Sequence, residues 1–390
     1  MRPDEITAVK EILGEGSFGV VHHVMYTRRG DTKGLDAARK QLKLETEAEL
    51  KAFTEEACFL VACQTQYVSA TGKHPHVLEL LGVCLSRAGG ERPFILTEFM
   101  RGGSLEKKLV LSEGNNYENG VPAAWKQPIS WNKLVENLLQ AAKGVAHLHE
   151  VGIVHSDIAT RNILLDESNS AVIADVGLGA LKERNPDGSS EQMHLDHGPV
   201  QWMAPEQFNH NPKKTQEADC YMFACTCWEA IVQMHPHAGQ TFYQVARQQA
   251  SGVKCGPMPD WVPLKLVSIL KSCWQEETPL RPTMPRVVEM LTAYHSTLDG
   301  HTPDVRPDED PRGTYFPELW ESMRLRDAKK QKAAAVAAGD TGSANSVGAQ
   351  GGAGAGAGTP YEDMPLTPHG GGAAGGRSSE GGGGGGGTVK

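Results

Sequence analysis

Residues 6–27 alternate apolar and polar around a glycine cluster, which predicts a strand, a tight turn and a second strand. Residues 34–43 read as a short third strand carrying Lys40. The period then changes. Thr46 is placed to cap a helix over 46–64, and Leu50, Phe53, Ala57 and Leu60 recur at helical spacing. Strand-like runs follow at 77–85 and 93–99, and a long helical pattern covers 131–151. Between 153 and 177 two short apolar runs are separated by polar loops. Helical segments follow near 206–209, 217–233, 241–250, 262–275 and 285–297. The early part is rich in strands and the later part in helices, so the expected class is α+β with two lobes. Residues 110–130 are polar and turn-rich and predict a surface insertion, and 317–338 predict a further helix.

Composition narrows this picture. Residues 339–390 hold 20 of the 44 glycines and little apolar surface, so they are expected to be a disordered tail. With 38 Lys+Arg against 47 Asp+Glu the formal charge is −9, which argues against nucleic acid as a partner. No apolar run approaches the ~20 residues of a membrane span. The charged opening of the chain is unlike a signal peptide. Eight cysteines form no CxxC pair and no zinc spacing, which predicts reduced packing residues in a cytoplasmic protein.

Candidate chemistry begins at Gly14-Glu15-Gly16-Ser17-Phe18-Gly19, a GxGxxG between two strand patterns. In a dinucleotide fold the last glycine would open a helix, whereas here Val20-Val21-His22-His23-Val24 continues as a strand. Glycine lets backbone amides approach phosphate oxygens with no Cβ between them. Lys40 alone reads most simply as a solvated strand-end lysine. A lysine that holds phosphate needs a carboxylate to position it, and Glu56 on the next helix can supply one, with Glu55 as its neighbour and competitor.

Further on stand His155-Ser156-Asp157-Ile158-Ala159-Thr160-Arg161-Asn162, then Asp175-Val176-Gly177, then Ala204-Pro205-Glu206. Leu96-Thr97-Glu98-Phe99-Met100 and Gly102-Gly103-Ser104-Leu105 lie between the two groups, and Asp219, Trp228-Glu229 and Arg281 lie beyond them. In this order the set resembles the catalytic domain of eukaryotic protein kinases, most similar to the tyrosine kinase and tyrosine kinase-like group. The resemblance covers residues 5–298, with an N-lobe over 5–98 and a helical C-lobe over 101–298. It implies a bilobal fold and an ATP- and Mg²⁺-dependent phosphotransferase, with Mn²⁺ as an alternative metal, acting on protein substrates.

By the same resemblance, Gly14, Glu15, Gly16, Ser17, Phe18, Gly19, Val21, Ala38, Lys40, Thr97, Glu98, Met100 and Leu164 bind the nucleotide. Asn162 and Asp175 hold metal. Asp157 accepts the substrate proton. Lys40, Glu56, Arg161 and Asn162 complete the catalytic set. Glu206 and Arg281 match a structural ion pair.

Three features favour tyrosine as acceptor: Ala159 where serine/threonine kinases place lysine, Arg161 four residues after Asp157, and the loop from Gly198 to Glu206. A serine/threonine-specific relative and a non-catalytic binding module remain alternatives. The family's HRD arginine is Ser156 and its DFG phenylalanine is Val176. The motif begins so near Met1 that this stretch has no room for a receptor, membrane span or phosphopeptide-binding domain, so the chain reads as a compact kinase or as the catalytic end of something longer. In the tail, Tyr361-Glu362-Asp363-Met364 resembles a docking site for a phosphotyrosine-reading partner.

Between Asp175 and Glu206 there is no Tyr or Thr, and the only hydroxyl residues are Ser189 and Ser190. The arginine that would receive a loop phosphate is missing as well. Activity is therefore expected not to depend on phosphorylation of that loop. The double substitution Ser189→Ala with Ser190→Ala should leave turnover unchanged in a phosphotransfer assay; abolished turnover would contradict this.

Overall fold

The structure is a computed structural model that describes residues 3–16, 19–42, 54, 57, 61, 73–85, 92–109, 117–118, 121–122, 129–175, 200–208, 214–238, 240–299 and 304–307. Among them a five-stranded antiparallel sheet has the order β1-β2-β3-β5-β4. Its strands are β1 (Ile6–Gly16), β2 (Gly19–Tyr26), β3 (Leu35–Leu42), β4 (Leu80–Cys84) and β5 (Phe94–Glu98). The described part of the expected 46–64 helix is Thr54, Ala57 and Val61, each with helical backbone. Glu55 and Glu56 lie outside the described residues, as do Ser17, Phe18, Val176, the expected 317–338 helix and the tail with Tyr361.

Strand register gives each face of the sheet its task. Lys40 pairs with Val21 and Ile95, and Ala38 pairs with His23 and Thr97. Directly paired residues share a face, so Val21, Ala38, Lys40, Ile95 and Thr97 project together. The opposite face carries a small core of Val24, Ala37, Phe94, Leu96 and Cys84.

Among the described residues the helical part is built on six helices: α1 (Leu105–Lys108), α2 (Trp131–Glu150), α3 (Gln216–Val232), α4 (Phe242–Ala250), α5 (Leu264–Cys273) and α6 (Met284–His295). Polar caps start four of them, with Ser104 accepting from the Lys107 amide at α1. Ser130 accepts from the Lys133 amide at α2, Thr215 from Ala218 at α3, and Thr241 forms a capping box with Gln244 at α4. Every residue of α3 from Ala218 to Val232 is buried, so this helix is the axis of the lobe and not a face of it. A three-stranded sheet packs against α2 in the order β10-β9-β6, formed by β6 (Gly103–Ser104), β9 (Ile163–Leu165) and β10 (Ala171–Ile173).

Two local differences from the sequence reading have physical causes. The apolar run at 77–85 joins the sheet only from Leu80. Its first part reaches the other lobe instead, with a parallel bridge between Val77 and Ile173 and a bond from the Leu78 amide to the Ile173 carbonyl at 2.9 Å. The 110–130 insertion contains a minimal hairpin, β7 (Tyr117–Glu118) with β8 (Val121–Pro122), too short to leave a periodic signal.

Beyond the expected boundary at 298, Asp304 accepts from the Trp131 amide at 2.9 Å, at the first turn of α2. Buried Arg306 bonds Asp304 and the Ile129 carbonyl. The flank thus packs on the start of α2, where negative charge is favoured. Cys84, Cys220, Cys225, Cys227, Cys255 and Cys273 are buried and free. Among the described residues no helix is long and apolar enough to cross a membrane.

Helix α2 passes under the 74–77 segment at Gly144. A Cβ there would lie 2.2 Å from the His76 carbonyl oxygen and 2.9 Å from Ile173 Cγ2. In an open helix Gly→Ala gains roughly 1 kcal/mol. At this position Gly144→Ala should instead lower stability by about 1–3 kcal/mol, read from the urea midpoint. A raised midpoint would show that the contact is not tight.

Candidate active site

A cleft of about 510 Å³ lies between the sheet and the helical lobe. The sheet face carrying Val21, Ala38, Lys40, Ile95 and Thr97 lines one side, together with Gly14. Leu164, Asn162, Arg161, Ala174 and Asp175 line the other, and Glu98, Phe99, Met100 and Arg101 line the connection between the lobes. At Gly14 a Cβ would meet nothing within 4 Å, so protein packing is not what requires glycine there. Gly16 and Gly19 pair with each other at the strand ends, on either side of Ser17 and Phe18.

Lys40 reaches down from β3 and donates to Asp175 Oδ1 at 2.7 Å. Opposite it, Asp157 is buried, and the Arg161 guanidinium donates to its Oδ1 at 2.5 Å. Asn162 Nδ2 donates to the Asp157 carbonyl at 2.7 Å, which leaves the amide oxygen as the acceptor that the side chain still offers. His155 bonds the Ala174 carbonyl through Nε2 at 2.9 Å, and its Nδ1 accepts from the Asp157 amide at 3.2 Å. A carbonyl only accepts and an amide N–H only donates, so this pair of bonds assigns the Nε2–H tautomer. His155 thereby links the loop carrying Asp157 to the strand end carrying Asp175.

Helix α3 supports this loop from below. Asp219, fully buried, accepts from the His155 amide at 2.7 Å, from the Ser156 amide at 2.8 Å and from the His149 ring at 2.8 Å. Thr226 donates to the Ile158 carbonyl at 3.0 Å, and Glu229 accepts from the Thr160 amide at 3.0 Å. These three residues are seven and three apart, a spacing that repeats along one side of a helix. They are polar groups on an otherwise apolar helix, each placed on a backbone group of the loop.

Two residues here adopt left-handed backbone, Ser156 at φ 62 and Asp175 at φ 57. For non-glycine residues that costs on the order of 1 kcal/mol each. The Ser156 amide is held by Asp219, while its hydroxyl is buried with no hydrogen-bond partner among the described residues. Arg161 also stacks over the Trp202 ring at 4.6 Å, which ties the loop to the 200–208 segment. In that segment Glu206 forms a bidentate pair with buried Arg281 at 2.6 and 2.8 Å, the structural ion pair expected from the sequence.

Glu98 is expected to serve the nucleotide through its backbone. Glu98 turns its carboxylate to Lys73 and to the Glu79 amide, so only its backbone is left to face the cleft. Several cleft residues went unrecognised in the sequence. Lys107 bonds the Leu13 carbonyl at 3.0 Å, and Glu106 is half-buried beside His235. At the connection, Asp36 bonds Lys10, His23 and Arg101; Lys10 and His23 hold its carboxyl down at about 2. His23 in turn stacks on Phe99 at 3.8 Å. No motif marks these residues, because each acts through a neighbour distant in sequence.

The profile of the family described as protein tyrosine and serine/threonine kinase matches residues 7–291. The chain belongs to this protein kinase family, and the two-lobed fold is the kinase fold. It is 31% identical over 284 residues to a tyrosine-protein kinase, SRK3, of Spongilla lacustris, covering 73% of this chain and 75% of that one. It is 28% identical over 289 residues to a putative serine/threonine-protein kinase/receptor, R818, of Acanthamoeba polyphaga mimivirus, and 26% identical over 302 residues to the tyrosine-protein kinase receptor TYRO3 of Danio rerio. These matches span 73% and 76% of this chain but only 15% and 32% of those relatives.

Removing the Asp219 carboxylate strands two loop amides and a histidine N–H away from water. Asp219→Ala should cost about 3–5 kcal/mol of stability, read by chemical denaturation. A loss under ~1 kcal/mol would show that the loop does not depend on this residue.

Proposed function

We propose that the chain is an ATP- and Mg²⁺-dependent protein kinase that transfers the γ-phosphoryl group to a protein hydroxyl, with tyrosine the favoured acceptor. One observation carries the reading: Lys40, Asn162 and Asp175 line a single cleft from three separate stretches of chain, and Asp157 is bonded to two of its lining residues, Arg161 and Asn162. Phosphoryl transfer asks for positioned charge more than for covalent chemistry. Lys40 is the cation for the nucleotide's phosphate oxygens. Gly14 and Gly16 leave room for backbone amides to approach them. Val21 and Ala38 on one side and Leu164 on the other hold the base, and backbone groups at 98–100 bond its edge.

The donor set suits a hard divalent ion: a carboxylate from Asp175 and an amide oxygen from Asn162. Mg²⁺, when bound, neutralises phosphate charge, and Mn²⁺ is the alternative. Asp157 is placed to accept the acceptor hydroxyl's proton, and the Arg161 fork orients its carboxylate. Arg161 at this position, with Ala159 before it, supports tyrosine. Relatives of both specificities keep the serine/threonine reading as the runner-up. The binding-module reading draws on Ser156, whose hydroxyl is buried without a partner among the described residues where the family has arginine. A cytoplasmic location fits the buried free thiols.

The test is incubation with Mg·ATP and a peptide library, followed by mass spectrometry of the modified side chains. Phosphotyrosine is expected, and phosphoserine and phosphothreonine alone would overturn the acceptor assignment. Asp157→Asn should lower kcat by about 10²–10⁴-fold with ATP binding retained. Equal background rates for both proteins would favour the binding module.

A further inference from the structure

Under the catalytic loop lies a polar cluster that the transfer chemistry does not use directly. Glu229, on α3, is fully buried. Its Oε2 accepts from the Thr160 amide and from the Trp202 indole N–H, each at 3.0 Å. Its Oε1 meets His235 Nδ1 at 2.9 Å. On the far side of the ring, His235 Nε2 stands 3.9 Å from Glu106 Oε1 on α1. Trp202 meets the His235 ring edge-on at 5.8 Å and lies under the Arg161 guanidinium. The groups facing His235 are therefore Glu229 from α3, Glu106 from α1, Arg161 from the catalytic loop and Trp202 from the 200–208 segment.

Two carboxylates on opposite sides of one ring need a cation between them. The ligand atoms of Glu106, Glu229 and His235 lie within 4.8 Å of one another, which a divalent ion could also exploit. Both Glu229 oxygens are already taken by N–H donors, so the proton on His235 meets the need with no atom displaced.

We propose that His235 is a positioning residue for phosphoryl transfer: as an imidazolium between Glu229 and Glu106, it fixes the Glu229 carboxylate that anchors Thr160 and Trp202, and through them the Arg161 fork on Asp157. This rests on the kinase reading above. The carboxylate pair favours the charged ring. Burial opposes that charge, but the hydrogen bond and charge of Glu229, with the charge of Glu106, outweigh burial and the repulsion of Arg161, and raise the His235 pKa. Burial also raises the Glu106 pKa, against the pull of His235, as expected where one proton serves a crowded acidic site. The sign follows. The bridge is complete below the ordinary histidine value near 6.5 and is lost as pH rises through the higher folded value.

The experiment compares pH profiles between about pH 6 and pH 9 for wild type, His235→Asn and Glu106→Gln, using the peptide selected by mass spectrometry. Wild-type kcat should fall about three- to ten-fold across an alkaline limb whose midpoint lies above 6.5, with the KM for ATP nearly constant. Asparagine can still donate to Glu229 but cannot titrate, so His235→Asn should lose that limb and sit near the wild-type high-pH rate. Glu106→Gln removes one carboxylate and should move the limb to lower pH. A variant that merely loosened the fold would lower kcat at every pH and move no midpoint.

As a readout independent of turnover, the Trp202 indole N–H resonance, identified by its absence in Trp202→Phe, should titrate with the same midpoint. An unchanged limb in His235→Asn, an unmoved midpoint in Glu106→Gln, or a Trp202 resonance indifferent to pH would each overturn the proposal. Absence of turnover in wild type at every pH would sink the kinase reading instead, and the Trp202 titration would then decide the His235 bridge on its own.

Discussion

A carboxylate with no water around it must be met by hydrogen-bond donors, and the site depends on how that need is satisfied at Asp219. The residue is fully buried on a helix that is itself buried on all sides. Its donors are the two consecutive amides of His155 and Ser156, just ahead of Asp157, and the ring of His149 on α2. The bond that keeps the charge stable therefore also sets the loop's path. That path carries Ser156 through left-handed backbone and sets Asp157 against Arg161, a residue that lines the cleft. Thr226 and Glu229 extend the same logic along α3: a helix that looks like pure core carries a row of polar anchors.

The cleft is assembled from opposed charges delivered by independent segments. Lys40 comes from the sheet, and its face is fixed by antiparallel register with β2 and β5. Asp175 comes from the end of β10, held in line by the His155 bond to Ala174. Their contact at 2.7 Å crosses between the lobes, so lobe geometry and charge positioning are coupled. The Asp36 cluster braces the connection where the lobes join, through exposed and partly exposed groups. Exposed pairs contribute little stability, so their role is better read as orientation than as strength.

Much of the site was legible in the sequence because its parts are short, ordered and chemically unusual. A glycine-rich turn between strands, an HxD…N loop and a DxG each carry a local constraint that periodicity alone does not explain. The structure brings Gly14, Lys40, Asn162, Asp175 and Leu164 to the same cleft. Other parts left no local trace. Glu98 is expected at the nucleotide edge through its backbone; that its carboxylate serves Lys73 and Glu79 left no trace, because a strand sends alternate side chains to opposite faces. The apolar run at 77–79 read as strand, but it is spent bridging to Ile173 across the lobes. Glu106 and His235 belong to no motif and meet only because α1 and the turn after α3 are packed together.

The sequence by itself determined the family, the two-lobed class and the motif residues Lys40, Asn162 and Asp175 that the cleft brings together. Local pattern reports what a segment can form and which chemistry it brings. Tertiary structure alone decided which carboxylate answers which donor. Asp219 could have been a solvated helix residue, Glu229 a surface acid and His235 an ordinary loop histidine. Burial made each of them exacting, since a polar group removed from water must find its partner within about 3 Å, and only the folded chain says which partner is there.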